Sequence, residues 1–307
     1  MSAVAPLVEP PTAVPDAVTQ DSHAVLATHA RSFRLASVFL PRAQADDAAV
    51  VYAFCRLVDD LADEAPDPQT ARVRLDAVSA ELDGRAPRRP LVAAFCQVAA
   101  RQSIDLQVAR DLMAGVLSDL VAVRVRELSE FDRYCYRVAG TVGLMMCGVM
   151  GVTSAEARAP AVALGEAMQI TNICRDVLED LGRDRVYVPE SVLVRAGTSQ
   201  AELLAGEAPR EAVVAAVGRL LDRAEARYRQ AHRGMGFIPW RPRLAILVAS
   251  RLYRQIGRRL RHVHGGDPMH GRTIVPGWKR GLMVAWGLAQ ALDPRTWRAF
   301  ARGVVPL

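Results

Sequence analysis

The stretch Ser154–Leu181, SAEARAPAVALGEAMQITNICRDVLEDL, decides the fold class. It follows a Gly-Val-Thr turn, shows no strand alternation, and returns its apolar residues at helical spacing. With Asn172 set at 0° and about 100° per residue, Asp176 falls near 40°, Gln169 near 60°, Asp180 near 80° and Glu179 near −20°. Two amides and three acids therefore share one face, while Ile170, Ile173, Val177 and Leu178 supply apolar positions elsewhere. Upstream, Ala157 to Met168 is mostly apolar. A polar stripe on such a helix is costly unless its members are paired or bind a metal. A solvated surface stripe is the competing reading.

The same periodicity extends through almost the whole chain. It predicts helices over Asp21–Ser37, Ala45–Glu64, Gln69–Leu82, Leu91–Gln102, Asp105–Leu120 and Glu130–Met150. Beyond the opening stretch it predicts Glu190–Gly206, Glu211–Met235, Pro242–His262 and a terminal helix from Ala285. Gly182–Pro189 and Gly265–Gly277 read as loops. The expectation is all-α: one domain over residues 21–307 behind a disordered, proline-rich tail of residues 1–20. With 307 residues, 51% hydrophobic and 23% charged, the chain can bury a sizeable core, which excludes a wholly disordered chain. Aromatic residues are 6%, and few residues favour strands.

The net charge is +6, nearly all of the positive charge being arginine, since Lys279 is the only lysine. A basic balance suits nucleic acid, anionic lipid or a phosphorylated small molecule. The arginines are scattered among acids without a recognition motif, which argues against nucleic acid. Neither the dinucleotide nor the P-loop fingerprint occurs. Cys55, Cys96, Cys135, Cys147 and Cys174 are odd in number, lack C-x-x-C spacing and sit mostly in apolar runs. They read as reduced thiols of a cytoplasmic protein. No secretory leader is legible in residues 1–20. The uncharged run Val138–Ala155 reads as a buried central helix rather than a membrane span, because four glycines dilute its hydrophobicity. Gly281–Leu292, preceded by Lys279 and Arg280, is a candidate for peripheral contact with the inner membrane surface or, equally, a last core helix.

A second acidic segment lies at Tyr52–Glu64. Asp59 and Asp63 stack at i and i+4, Arg56 lies a turn earlier on nearly the same face, and Asp60 lies about 100° round. Four acids in the last six residues of a helix oppose its dipole and repel one another. A cation would neutralise them; a solvated helix end is the alternative. Two acidic helix faces with carboxylate and amide oxygens suit Mg²⁺, which shares its shell with substrate phosphates. Arginines would bind the remaining phosphate oxygens as rigid forks, the candidates being Arg31, Arg56, Arg175, Arg185 and Arg272.

These segments resemble the squalene/phytoene synthase family, the head-to-head prenyl transferases. The resemblance rests on His29-Ala30-Arg31-Ser32-Phe33 with Leu40-Pro41, on Tyr52–Asp63, and on Tyr134-Cys135-Tyr136-Arg137-Val138-Ala139-Gly140-Thr141-Val142-Gly143. Gln169–Asp180 and Asp184-Arg185-Val186-Tyr187-Val188-Pro189 complete it, and together the motifs cover about residues 22–280. The family implies a helical isoprenoid-synthase bundle with a central cavity between two acidic motifs. Carried over by position, Asp59, Asp63, Asn172 and Asp176 become ligands of Mg²⁺ (or Mn²⁺), with Asp60 and Asp180 in support. Arg31, Ser32, Arg56, Arg175, Arg185, Tyr253 and Arg272 match phosphate-binding positions, with Gln169 on the same polar face. Tyr52, Tyr134 and Tyr187 would face the cavity. Val138, Gly140, Thr141, Val142, Gly143 and Met146 would line a tunnel for prenyl chains, the glycines leaving room for them or, alternatively, packing helices tightly.

The reaction implied has two steps. One allylic diphosphate ionises, the double bond of a second molecule attacks, and proton loss closes a cyclopropane that keeps the second diphosphate. That intermediate ionises, rearranges and opens. Proton loss ends the reaction in phytoene synthases, and hydride from NADPH ends it in squalene synthases. The Ser32–Ser37 and Thr141–Met146 segments look most like bacterial phytoene synthases, implying geranylgeranyl diphosphate as substrate and no NADPH. Squalene, dehydrosqualene or presqualene diphosphate synthesis from farnesyl diphosphate is the alternative within the family. A non-catalytic assembly protein is the alternative outside catalysis.

Overall fold

The computed structural model describes residues 14–29, 34, 37–263 and 265–271. Helices α1 (Asp16–His29), α2 (Arg42–Asp63), α3 (Pro68–Leu82), α4 (Pro90–Arg101) and α5 (Leu106–Leu117) come first. A tight 3₁₀ turn at Ser118–Leu120 follows, then strand β1 (Val123–Arg124), α6 (Leu128–Cys135) and α7 (Thr141–Val149). The second half holds α8 (Arg158–Leu181), β2 (Arg185–Val186), α9 (Glu190–Val194), α10 (Gln200–Ala205), α11 (Arg210–Arg233) and α12 (Trp240–Val263).

The boundaries have local causes. Asp67 accepts a hydrogen bond from the Thr70 amide at 2.8 Å and Pro68 opens α3; Asp105 does the same for the Gln107 amide at 2.8 Å. Gly206, at φ +74°, ends α10 in a left-handed turn that glycine adopts without strain. Helix α1 begins at Asp16, so residues 16–20 are helix rather than the tail expected for them. Glu190–Gly206 is two short helices, not one.

Two apolar cores flank a central space. One, from α2–α5 and α7, includes Phe54 stacked on Phe95 at 3.9 Å between centroids, with Val58, Leu75 and Met145. The other, from α6, α8, α9 and α11, includes Phe131, Ile170, Leu193 and Tyr228. Burying one such side chain contributes roughly 1.5–3 kcal/mol. Among the described residues, no helix is long and apolar enough to cross a membrane. The candidate segment Gly281–Leu292, the terminal helix, and Arg31, Ser32 and Arg272 lie outside the described residues.

Two departures from regular helix matter for the site. The helix predicted over Glu130–Met150 is interrupted at Tyr136–Gly140 by a π-turn, in which the Thr141 amide donates to the Tyr136 carbonyl. Such turns re-aim the side chains that follow. The loop predicted over Gly182–Pro189 contains β2, which pairs in parallel with β1, Val123 opposite Arg185 and Arg124 opposite Val186. Val186, Tyr187 and Val188 are all buried in the second core, and Arg185 and Tyr187 also reach the polar cavity. Asp184, at φ +56°, turns the chain into β2, and its carbonyl accepts a hydrogen bond from Arg124 at 2.6 Å.

Candidate active site

Two cavities meet between the cores. The apolar one, of about 340 Å³, is lined by Val138 in the π-turn, by Val142, Gly143 and Met146 along α7, and by Ala161 and Gly165 along α8. Tyr52 on α2 and Tyr253 on α12 also line it. The polar one, of about 200 Å³, is lined by Arg56, Asp59 and Asp63 from α2, and by Asn172, Asp176 and Asp180 from α8. Asp119, Tyr134, Arg185 and Tyr187 close its other wall. Asp59, Gln169 and Asn172 line both cavities, so the two are adjoining compartments of one site.

Glycine packing places α8. A Cβ on Gly165 would lie 2.1 Å from the Ala139 carbonyl oxygen, and one on Gly143 would lie 2.3 Å from that of Ala161. Backbones of α7, the π-turn and α8 therefore touch, and only glycine permits that approach. Gly143 both packs helices and lines the tunnel. Gly140 and Thr141, expected to line it, do not: a Cβ on Gly140 would meet Tyr136 and Val162, and the buried Thr141 hydroxyl donates to the Arg137 carbonyl at 2.7 Å.

The polar wall is short of positive charge. Burial pushes the Asp59 carboxyl up to about 7, a rise that Arg56 opposes and that Asp63, Asp60 and Asp119 reinforce. Asp180 is likewise pushed up to about 7 by burial and by the neighbouring charges of Asp176 and Glu179. The buried Asn172 Oδ1 has no hydrogen-bond partner. Partnerless oxygens and desolvated carboxylates are what a hard cation would satisfy. Among the described residues, no three Asp, Glu, His or Cys side chains gather closely enough to hold a metal ion alone.

The arginines are already oriented by acids. Arg56 pairs with Asp60 at 2.5 Å, and Asp60, expected to support a metal, does not line the polar cavity. Arg175 forks onto its neighbour Asp176, Nε to Oδ1 at 2.7 Å and Nη2 to Oδ2 at 2.5 Å; it too stands outside the cavity lining. Arg185 donates to Asp63 at 3.3 Å across the gap between β2 and α2. Glu179 faces outward with Arg183, Oε1 to Nη2 at 3.3 Å.

Asp119 escaped the sequence reading. It lies away from both acidic motifs, near the end of the helix predicted over Asp105–Leu120, which stops instead at Leu117 and leaves Asp119 in the short turn after α5. Tyr134 donates its hydroxyl to Asp119 Oδ2 at 2.8 Å, and the Tyr134 and Tyr187 rings stack at 4.8 Å.

Comparison with known proteins decides the family: a squalene/phytoene synthase model matches residues 26–279. The chain belongs to the squalene/phytoene synthase family. It is 37% identical over 273 residues to the phytoene synthase of Thermus thermophilus, covering 88% of this chain and 93% of that one. It is 33% identical over 276 residues to the 15-cis-phytoene synthase of Synechococcus elongatus, covering 85% and 89%. Among solved structures it matches a ligand-bound dehydrosqualene synthase with TM-score 0.81 and 27% identity, covering 89% of this chain and 96% of the other. The isoprenoid-synthase helical fold is thus established. The chain is a prenyltransferase of the phytoene synthase type, and its class of reaction is head-to-head prenyl transfer in carotenoid synthesis.

Proposed function

We propose that this protein joins two molecules of geranylgeranyl diphosphate head to head into phytoene, using Mg²⁺ and no NADPH. One observation carries the reading: a tunnel-like apolar cavity opens, through Asp59, Gln169 and Asn172, directly into an acid-, arginine- and tyrosine-lined one. Such a pair of compartments suits a molecule with a long apolar tail and a diphosphate head. The choice of the forty-carbon product rests on the curated phytoene synthases that match most of the chain.

Asp59 and Asp63 on α2 and Asn172 and Asp176 on α8 would hold the metal, with Asp180 in support. When bound, Mg²⁺ offsets the charge of the leaving diphosphate and so assists ionisation of the carbon–oxygen bond. Arg56 and Arg185 present N–H groups to the diphosphate from the polar wall, each kept in place by its acid partner. Val138, Val142 and Met146 hold the prenyl chains and exclude water from the cationic intermediates. Tyr134 and Tyr187, stacked on each other at 4.8 Å, line the polar cavity beside the diphosphate site.

Purified protein incubated with Mg²⁺ and geranylgeranyl diphosphate should yield a forty-carbon hydrocarbon without NADPH. A thirty-carbon product made only from farnesyl diphosphate would overturn the substrate assignment and leave the fold and reaction class standing. The match to a dehydrosqualene synthase structure is what favours that second reading.

A further inference from the structure

Asp119 belongs to none of the motifs, yet its side chain closes the polar cavity opposite the two acidic helices. The turn that carries it is pinned by Ser118, whose hydroxyl donates to the Gly115 carbonyl at 2.5 Å. One carboxylate oxygen, Oδ2, accepts the Tyr134 hydroxyl at 2.8 Å, and the Tyr187 hydroxyl also hydrogen-bonds the carboxylate. A phenol has one proton to donate and an oxygen that can also accept, and its O–H otherwise chooses between two orientations in the ring plane. With the proton committed to Asp119, the oxygen turns its lone pairs towards Tyr187, with which it also hydrogen-bonds, and towards the polar cavity that both tyrosines line.

We infer that Asp119 is a positioning residue that acts through Tyr134, holding the phenol proton away from the reacting carbons. This rests on the head-to-head reaction proposed above. An O–H dipole aimed at an allylic or cyclopropylcarbinyl cation would present its positive end and raise the barrier. Lone pairs aimed there lower it, because dipoles set in advance cost no reorganisation as charge develops. Tyr187 holds the pair from the other side, its ring stacked on Tyr134 at 4.8 Å and its hydroxyl hydrogen-bonded to the same group. No group is transferred to Asp119; it accepts a hydrogen bond throughout.

The test is a double-mutant cycle on kcat, read with whichever prenyl diphosphate the wild type consumes. Asp119→Leu should lower kcat by about 10²-fold, the cost expected of a misaligned group, with KM nearly unchanged. Asp119→Asn keeps an acceptor and should retain activity to within about tenfold, the loss reflecting a neutral bond in place of a charged one. In a Tyr134→Phe background, Asp119→Leu should have no further effect on kcat. Additive losses, or a change in KM alone, would overturn the proposal.

A second readout does not depend on turnover. In protein carrying tyrosine labelled with ¹³C at Cζ, the Tyr134 resonance is identified by its disappearance in Tyr134→Phe. It should shift in Asp119→Leu and stay close to wild type in Asp119→Asn. An unmoved resonance refutes the positioning role even if the enzyme makes phytoene. A moved resonance in a protein that makes no phytoene would leave the positioning role standing and count against the proposed product.

Discussion

Helix α8 runs along both cavities and changes character at Gln169. Before it, Ala161 and Gly165 are small because the backbones of neighbouring segments must touch and a space must stay open beside them. After it, Asn172, Asp176 and Asp180 are polar, and Asp180 is held well above its ordinary range. The first half is governed by shape, the second by charge. Shape there holds the fold together, whereas the buried charges oppose folding, a cost that the proposed metal and diphosphate would offset. One helix thus separates the residues that packing requires from those to which the proposed function assigns the metal.

The sharpest way to break the charged half is Asp176→Ala. Product formation at saturating substrate should fall about 10²–10³-fold, as when one main electrostatic stabiliser is removed. Far-UV circular dichroism should stay unchanged; an unfolded variant would show that Asp176 serves packing after all.

The same division predicts opposite slopes of stability against pH in metal-free protein. His232, packed between α11 and α12 with Nε2 3.3 Å from Ser250 Oγ, is held down to about 4 by burial, with Arg254 and Arg251 adding repulsion and Glu225 opposing it. The unfolded chain takes up that proton near 6.5, so this stability is present above 6.5 and is lost as pH falls towards 4. The loss is about 3 kcal/mol by linkage. Asp59 has the other sign: raised to about 7 in the fold, it favours folding below the ordinary carboxylate range and loses that contribution as pH rises through 7. Denaturant titrations between pH 4 and 7.5 should show His232→Gln stabilised towards the acid end relative to wild type, and Asp59→Asn flattened in the opposite sense. Parallel curves for all three proteins would contradict both assignments.

Gly165→Ala breaks the half governed by shape. Its Cβ would fall 2.1 Å from a backbone oxygen that has no flexible side chain to yield, and the fold should lose about 2–3 kcal/mol in chemical denaturation. An unchanged midpoint would mean that the helices separate at little cost.

The smallest effect is a contrast between sequence neighbours. Met145 is fully buried in the first core, while Met146 faces the apolar cavity. Met145→Ala should cost about 2–4 kcal/mol, and Met146→Ala about 1 kcal/mol, because Met146 already borders empty space. Equal losses in thermal or denaturant melts would show that the cavity wall is packed like core.

Much of the polar compartment was legible beforehand because charge in an apolar helix has few explanations. The Asn172–Asp176–Asp180 face and the Asp59–Asp63 pair both reached the cavity. Asp60 and Arg175 did not, because sequence adjacency on a helix separates directions by about 100° and each pairs with a neighbouring residue instead. The apolar compartment was harder to read. Gly140 and Gly143 stand in one motif, yet only Gly143 lines the tunnel, since the π-turn changes the phase of the helix between Tyr136 and Gly140. A small apolar residue beside a void and one beside a backbone look identical in sequence.

The sequence by itself determined the helical class, most helix limits, the family motifs and the two acidic faces, because periodicity and charge are local properties of a chain. Tertiary structure alone decided which carboxylates share a cavity and which are neutralised by arginine. It also decided which glycines serve packing, and it brought Arg185 to Asp63 across the gap between β2 and α2. Those outcomes depend on distances between segments far apart in the chain, set by close packing of whole helices, and no short stretch of sequence contains them.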